Sequence, residues 1–179
     1  MKNITIISVF SVLLISCNSQ NQKCSRRDFK NLDLLPVKIS IKMPPYQIVD
    51  TTRYGRSRTI LNYKIKSLDG LLDVVVFVDD YSDYADNQFD INRIALSQKQ
   101  EVESGQNDKK LLTESIKKNN GLEVGYLKYL VKQTSNKFYA SRIFFYKGKK
   151  LIVLWLFDRN GNAEDRSMSD CIIESLKIQ

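Results

Sequence analysis

The sequence predicts an α+β domain, an antiparallel sheet of about seven strands covered by helices on both faces in a three-layer sandwich. Three observations predict it. First, Val74-Val75-Val76-Phe77-Val78 and Leu151-Ile152-Val153-Leu154-Trp155-Leu156-Phe157 are apolar at every position, and such strands need cover on each side of their sheet. Second, two segments carry apolar residues at helical spacing. These are Phe89, Ile91, Ile94, Ala95 and Val102, then Met168, Cys171, Ile172 and Leu176, so each has one packing face and one wet face. Third, the turn signals Asn119-Asn120-Gly121, Ser135-Asn136 and Lys147-Gly148-Lys149 separate four apolar runs, the pattern of a hairpin meander.

In chain order, Val37, Ile39 and Ile41 alternate with Lys38, Ser40 and Lys42, the period of a half-exposed strand, and Pro44-Pro45 ends it. A basic turn, Arg53 to Arg58, leads to a second strand over 59–66, and Asp69-Gly70 turns into a third over 71–78. A helix begins at Asp83 and Asp86 and runs to about Glu103, with Gly105 as its stop. Strands over 111–118, 122–133, 138–146 and 151–157 form the meander, and a helix over 162–176 follows.

That order resembles the PsbP-like (Mog-type) fold: an opening strand ending in Met43-Pro44, two more strands, a long helix, a four-stranded meander, and a helix finishing Ile172-Ile173-Glu174-Ser175-Leu176-Lys177. The resemblance covers Leu35 to Gln179. Cystatin-like and other sheet-plus-helix folds share parts of the order. The resemblance implies a binding or assembly factor rather than an enzyme, and that family offers no catalytic residues to carry over.

At 179 residues, with 42% hydrophobic and 27% charged residues, 7 Gly and 3 Pro, the chain can bury one core without staples and has no disordered or fibrous bias. Histidine is absent. Its absence removes the usual general base near neutral pH, the commonest metal ligand and the usual partner of a Ser or Cys nucleophile. The formal charge of +8 favours anionic partners such as lipid headgroups, acidic glycans or an acidic protein. Nucleic acid is not expected as a partner, because the amino terminus carries an export signal.

That signal spans residues 1–16: Lys2 is followed by Ile4, Ile6, Ile7, Val9, Phe10, Val12, Leu13, Leu14 and Ile15. The apolar run is shorter than the roughly 20 residues that span a bilayer core and suits a secretory signal peptide. Its end, Leu14-Ile15-Ser16-Cys17, resembles the lipobox of bacterial lipoproteins. The resemblance implies a diacylglyceryl group on the Cys17 sulfur and cleavage before that residue, with acyl chains such as palmitate holding the protein to the membrane. Asn18 in place of an aspartate points to the periplasmic face of the outer membrane.

Residues 17–33 then form a polar tether, and 34–179 the single domain. About 14 extended residues reach on the order of 45–50 Å. Cys17 aside, the remaining thiols are Cys24 and Cys171, a candidate disulfide in an oxidising compartment. The competing reading of Cys171 is a small apolar core residue on the stripe of the last helix.

No catalytic constellation, metal site or cofactor motif emerges. Asp79, Asp80, Asp83, Asp86 and Asp90 cluster before the long helix but miss the calcium-loop spacing, and acidic residues suit a helix start. Glu101 and Glu103 lie two apart on a helix and do not face each other. Ser175 and Lys177 have no dyad context. Arg53, Arg56 and Arg58 are candidates for contact with an anion or partner, against a solvated hairpin. Trp155, Tyr126, Tyr129, Phe144, Phe145 and Tyr146 are core residues or the lining of a ligand groove. The expectation is a non-catalytic, lipid-anchored factor that binds another envelope protein. The alternatives are a carboxylate-dependent enzyme acting on glycan, with two carboxyls about 5–9 Å apart, and a carrier of a small apolar ligand.

Overall fold

The structure, a computed structural model, describes residues 29–34, 37–52, 59–84, 89–105, 108–133, 136–159 and 168–179. Its elements are β1 (Lys30–Leu34), β2 (Ile39–Met43), β3 (Tyr46–Thr52), β4 (Thr59–Ser67), β5 (Leu72–Asp80), α1 (Ile91–Glu103), β6 (Asp108–Asn119), β7 (Leu122–Lys132), β8 (Lys137–Lys147), β9 (Lys150–Asp158), α2 (Met168–Ser175) and β10 (Lys177–Ile178). The large sheet has the order β3-β4-β5-β9-β8-β7-β6, and a second sheet has the order β1-β2-β10. Every pairing is antiparallel.

The two strands that are apolar throughout, β5 and β9, pair at the centre of the large sheet. Their alternate residues feed two separate cores. Val74, Val76, Val78, Ile152, Leu154 and Leu156 enter one, and Val153, Phe77 and Trp155 enter the other. A strand alternates its side chains between faces, so a run without polar positions is stable only between two apolar layers.

The layers differ from the expected pair of helical covers. Over the first face lie the three-stranded sheet and α2, with Ile39, Ile41 and Met43 of β2 and Met168 and Ile172 of α2 buried in one cluster. The principal cover there is a sheet, and its helix has only eight residues. On the second face α1 buries Ile91 and Ala95 against Leu127, Tyr129, Phe144 and Val153, packing on β7 and β8. Lys64 and Lys66 of β4 stay exposed there, and Val75 and Phe77 of β5 are half-buried. Helices over both faces therefore overstates the cover. The described sheets are mostly a seven-stranded one, with two helices in all among the described residues.

Three boundaries also move. Lys30 to Asp33, assigned to the tether by composition, belong to β1, where Leu32 and Leu34 point into the core between exposed Asn31 and Asp33. The long helix begins at Asp90, whose carboxylate accepts the Asn92 N–H at 2.8 Å, an N-cap that satisfies an otherwise orphaned donor. Asp83 lies earlier, in the turn where Tyr84 N–H bonds Tyr81 O. The last helix begins by Met168 in the described chain, and 160–167 lie outside the described residues.

Candidate functional site

Under the carboxyl end of α1, where the helix departs from the sheet, Val102, Val131, Phe138, Arg142, Trp155 and Phe157 line a cavity of about 210 Å³. The register aligns Arg142 with Trp155 across β8 and β9, and the guanidinium lies 4.2 Å over the indole ring. Such stacking is favourable because the ring face is negative. Arg142 Nη1 also donates to Gln98 Oε1 at 2.8 Å and Glu101 Oε2 at 2.9 Å. One side chain thus joins the helix to the sheet and forms one wall of the cavity. Trp155 Nε1 is buried with no hydrogen-bond partner among the described residues, an uncommon state for a strong donor. A wider cleft of about 600 Å³ shares Phe138 and Phe157 with this cavity and is rimmed by Lys137 and by Arg159, which pairs with Asp73 at 2.6 Å.

On the opposite face a groove of about 380 Å³ runs between α2 and β6, floored by Val124, Tyr126 and Ile143 and edged by Lys117, Asp170 and Glu174. Tyr126 donates its hydroxyl to Asp170 Oδ1 at 3.3 Å, and Lys128 Nζ donates to Asp170 Oδ2 at 2.7 Å. Burial first, and then the Asp170 carboxylate, hold the Tyr126 phenol well above its ordinary pKa. The phenol is therefore a fixed donor and offers no base for chemistry.

The other sequence candidates fall as follows. Cys17, Cys24, Arg53, Arg56, Arg58 and Asp86 lie outside the described residues. Cys171, on the first turn of α2 and half-buried, is disulfide-bonded. Asp79 accepts the Thr59 hydroxyl at 2.6 Å, Asp80 accepts the Ser82 N–H at 2.9 Å, and Asp90 caps α1. No three of His, Cys, Asp and Glu are grouped as a metal would need among the described residues. Glu101 is held by Arg142. Glu103 accepts from the Tyr129 hydroxyl at 3.4 Å, and burial, followed by that carboxylate, pushes the phenol up to about 12. Ser175 accepts the Lys42 N–H at 2.8 Å and donates to Ile172 O, which fastens α2 to β2.

The aromatic set does not form one groove. Tyr126 and Phe145 face the first core, whereas Tyr129, Phe144, Tyr146 and Trp155 face the second. Arg142, the residue that organises the cavity, was passed over in the sequence. Its signal was a lone cation inside the apolar strand Phe138 to Tyr146.

No protein-family model matches the chain, and no curated protein matches it significantly in sequence. Solved structures do resemble it. The solution structure of cyanobacterial PsbP (CyanoP) from Synechocystis aligns with a TM-score of 0.58 at 12% identity, over 84% of this chain and 92% of that one. A Pseudomonas aeruginosa protein of unknown function aligns with a TM-score of 0.43 at 11% identity, covering 76% and 86%. A Bacteroides thetaiotaomicron structure aligns at 0.44 and 12% identity, covering 79% of this chain and 45% of that one. By the CyanoP alignment the chain has a PsbP-like fold.

Proposed function

We propose that this protein is an exported lipoprotein, held at the periplasmic face of the outer membrane by acyl chains on Cys17, which acts by binding as an accessory factor to another envelope protein. The disulfide at Cys171 is the observation that carries the reading. Disulfides persist in oxidising compartments and are rare in the cytosol, so the bond supports the export that the lipobox and signal peptide imply. Two or three acyl chains, at about 0.8 kcal/mol per buried methylene, hold a protein to a membrane without a spanning helix. No described helix is long and apolar enough to cross a membrane.

The test is Cys17→Ser. The variant is expected to move from the membrane to the soluble fraction and to incorporate no labelled palmitate. Sedimentation with membranes as complete as that of the native chain would overturn the reading.

A second reading, a carrier of a small apolar anion, is favoured by one observation. The cavity has Trp155 in its wall together with the apolar side chains of Val102, Val131, Phe138 and Phe157. Arg142 and Lys109 in the same wall, beside the Glu101 that Arg142 holds, match negative charge on such a ligand. Anilinonaphthalene sulfonate is expected to quench Trp155, the only tryptophan, saturably. Ala140→Phe, which fills the cavity, should weaken that binding at least tenfold without lowering Tm. Non-saturable quenching, or no effect of the substitution, rejects the carrier.

A further inference from the structure

Strand registers define the two ends of the molecule. At one end Lys30 pairs with Met43, the Ser67–Leu72 turn joins β4 to β5, and β5 starts opposite Asp158 of β9. The first turn of α2 is at this end as well, since Ser169 N–H points to Asp158 Oδ2 at 3.4 Å. At the other end are the turns at Gly121 and Gly148 and the pairing of Ile178 with Ile39.

The first end is where the tether enters, and it is fastened there. Tyr46 donates its hydroxyl to Asn31 O at 3.1 Å, and Leu68 N–H donates to Pro45 O at 2.7 Å. Leu68 is 65% exposed and Leu71 37%, while Ile48 and Val49 on the adjoining edge strand are each 52% exposed. These are four of the seven exposed large hydrophobics among the described residues. Lys30 and Lys66 are exposed beside them. The exposed Asp69 carboxylate between the two leucines is turned to the Ser67 hydroxyl and the Leu71 N–H, and apolar side chains at a turn tip with ammonium groups behind them match the layering of a membrane surface, where hydrocarbon gives way to anionic headgroups.

We propose that the domain rests on the bilayer through this end, with Leu68 and Leu71 in the headgroup boundary and Lys30 and Lys66 against anionic phosphates. The setting rests on the lipid anchor proposed above, and the length of chain before the domain favours it. Cys17 to Phe29 spans some 12 residues, at most about 40 Å. If Cys24 is the partner of Cys171, which lies at this same end, the free tether shrinks to some seven residues and about 25 Å. That leash leaves the opposite end, with Gly121 and Gly148, pointing away from the membrane.

The test places the ¹⁵N-labelled lipidated protein on nanodiscs of phosphatidylethanolamine and phosphatidylglycerol that carry a gadolinium-chelating lipid. The amide of Gly70 is expected to be broadened at least fivefold more than those of Gly121 and Gly148. Equal broadening overturns the proposal, as it would if a protein partner covered the leucines instead. A second arm needs no anchor: residues 17–179 carrying Cys17→Ser are mixed with phosphatidylglycerol vesicles at low salt. Leu68→Asp/Leu71→Asp should reduce that partition at least fivefold, and unchanged partition overturns the docking. Membrane retention of Cys17→Ser in cells would instead strike only the anchor, so the two failures are distinguishable.

Discussion

Replacing Gly125 with alanine is expected to destabilise the domain by about 3 kcal/mol, at the upper end of overpacking penalties. Gly125 is buried in the interior of β7, paired with Phe144 of β8, and a β-carbon built on it overlaps the edge of the Phe144 ring at Cε2 and Cζ. The ring cannot yield, because Phe144 is fully buried between Leu127, Leu151 and Val153 in the core beneath α1. Glycine weakens a strand interior and marks a close approach, and here the approaching group is an aromatic ring lying over the bare backbone. Urea denaturation measures the loss. The double variant Gly125→Ala/Phe144→Leu should lose clearly less than the sum of the two single changes, since the smaller side chain frees the space. A Gly125→Ala protein within about 0.5 kcal/mol of the native chain would show that Phe144 is not held where the structure has it.

The disulfide carries the other large effect. Mature protein is expected to show no free thiol at Cys24 or Cys171 in non-reducing mass spectrometry, with one peptide containing both residues. A bridge between them closes a loop of nearly 150 residues, for which chain entropy gives a stabilisation of about 5 kcal/mol. Cys24→Ser and Cys171→Ser should therefore lower Tm by similar amounts, on the order of 10 °C or more for a domain of this size. Reduction of the native chain should bring it to the same point. If Cys171→Ser lowers Tm and Cys24→Ser does not, the partner of Cys171 is another residue.

The parts of the fold that were legible in the sequence are those where one physical pattern dominates a long segment. The apolar runs of β5 and β9 announced central strands because no polar residue interrupts them, and the meander showed through its Asn-Gly and Lys-Gly turns. What escaped was short or settled at long range. β1 offers only Leu32 and Leu34 as apolar markers among charged neighbours, and its pairing with β2 decides its state. β10 is two residues long and is held by Ile178, whose carbonyl accepts from Asn120 Nδ2 at 2.6 Å. Neither signal is local, so β1 was read as tether and β2 as a strand without these partners, and the edge strand β3 (Tyr46–Thr52) was not read as a strand at all.

The candidate site was less legible. The period-two rule alone would have put Trp155 and Tyr126 on different faces once the register of β7, β8 and β9 was known, but register is a tertiary property. The importance of Arg142 depends on Gln98 and Glu101, more than forty positions earlier. The cavity itself arises where a helix leaves a sheet, and no residue pattern encodes that gap.

The small sheet also sets an order of events. β2 is flanked by β1, which precedes it, and by β10, which begins at Lys177. Until residue 178 is available to pair, Ser40 and Ile39 have only one neighbouring strand, and the apolar residues of β2 lack half their support. Completion therefore waits for a strand some 140 residues further along the chain, and sequence-distant closure of this kind is slow. During that wait the nascent molecule presents an open strand edge to any chaperone it meets.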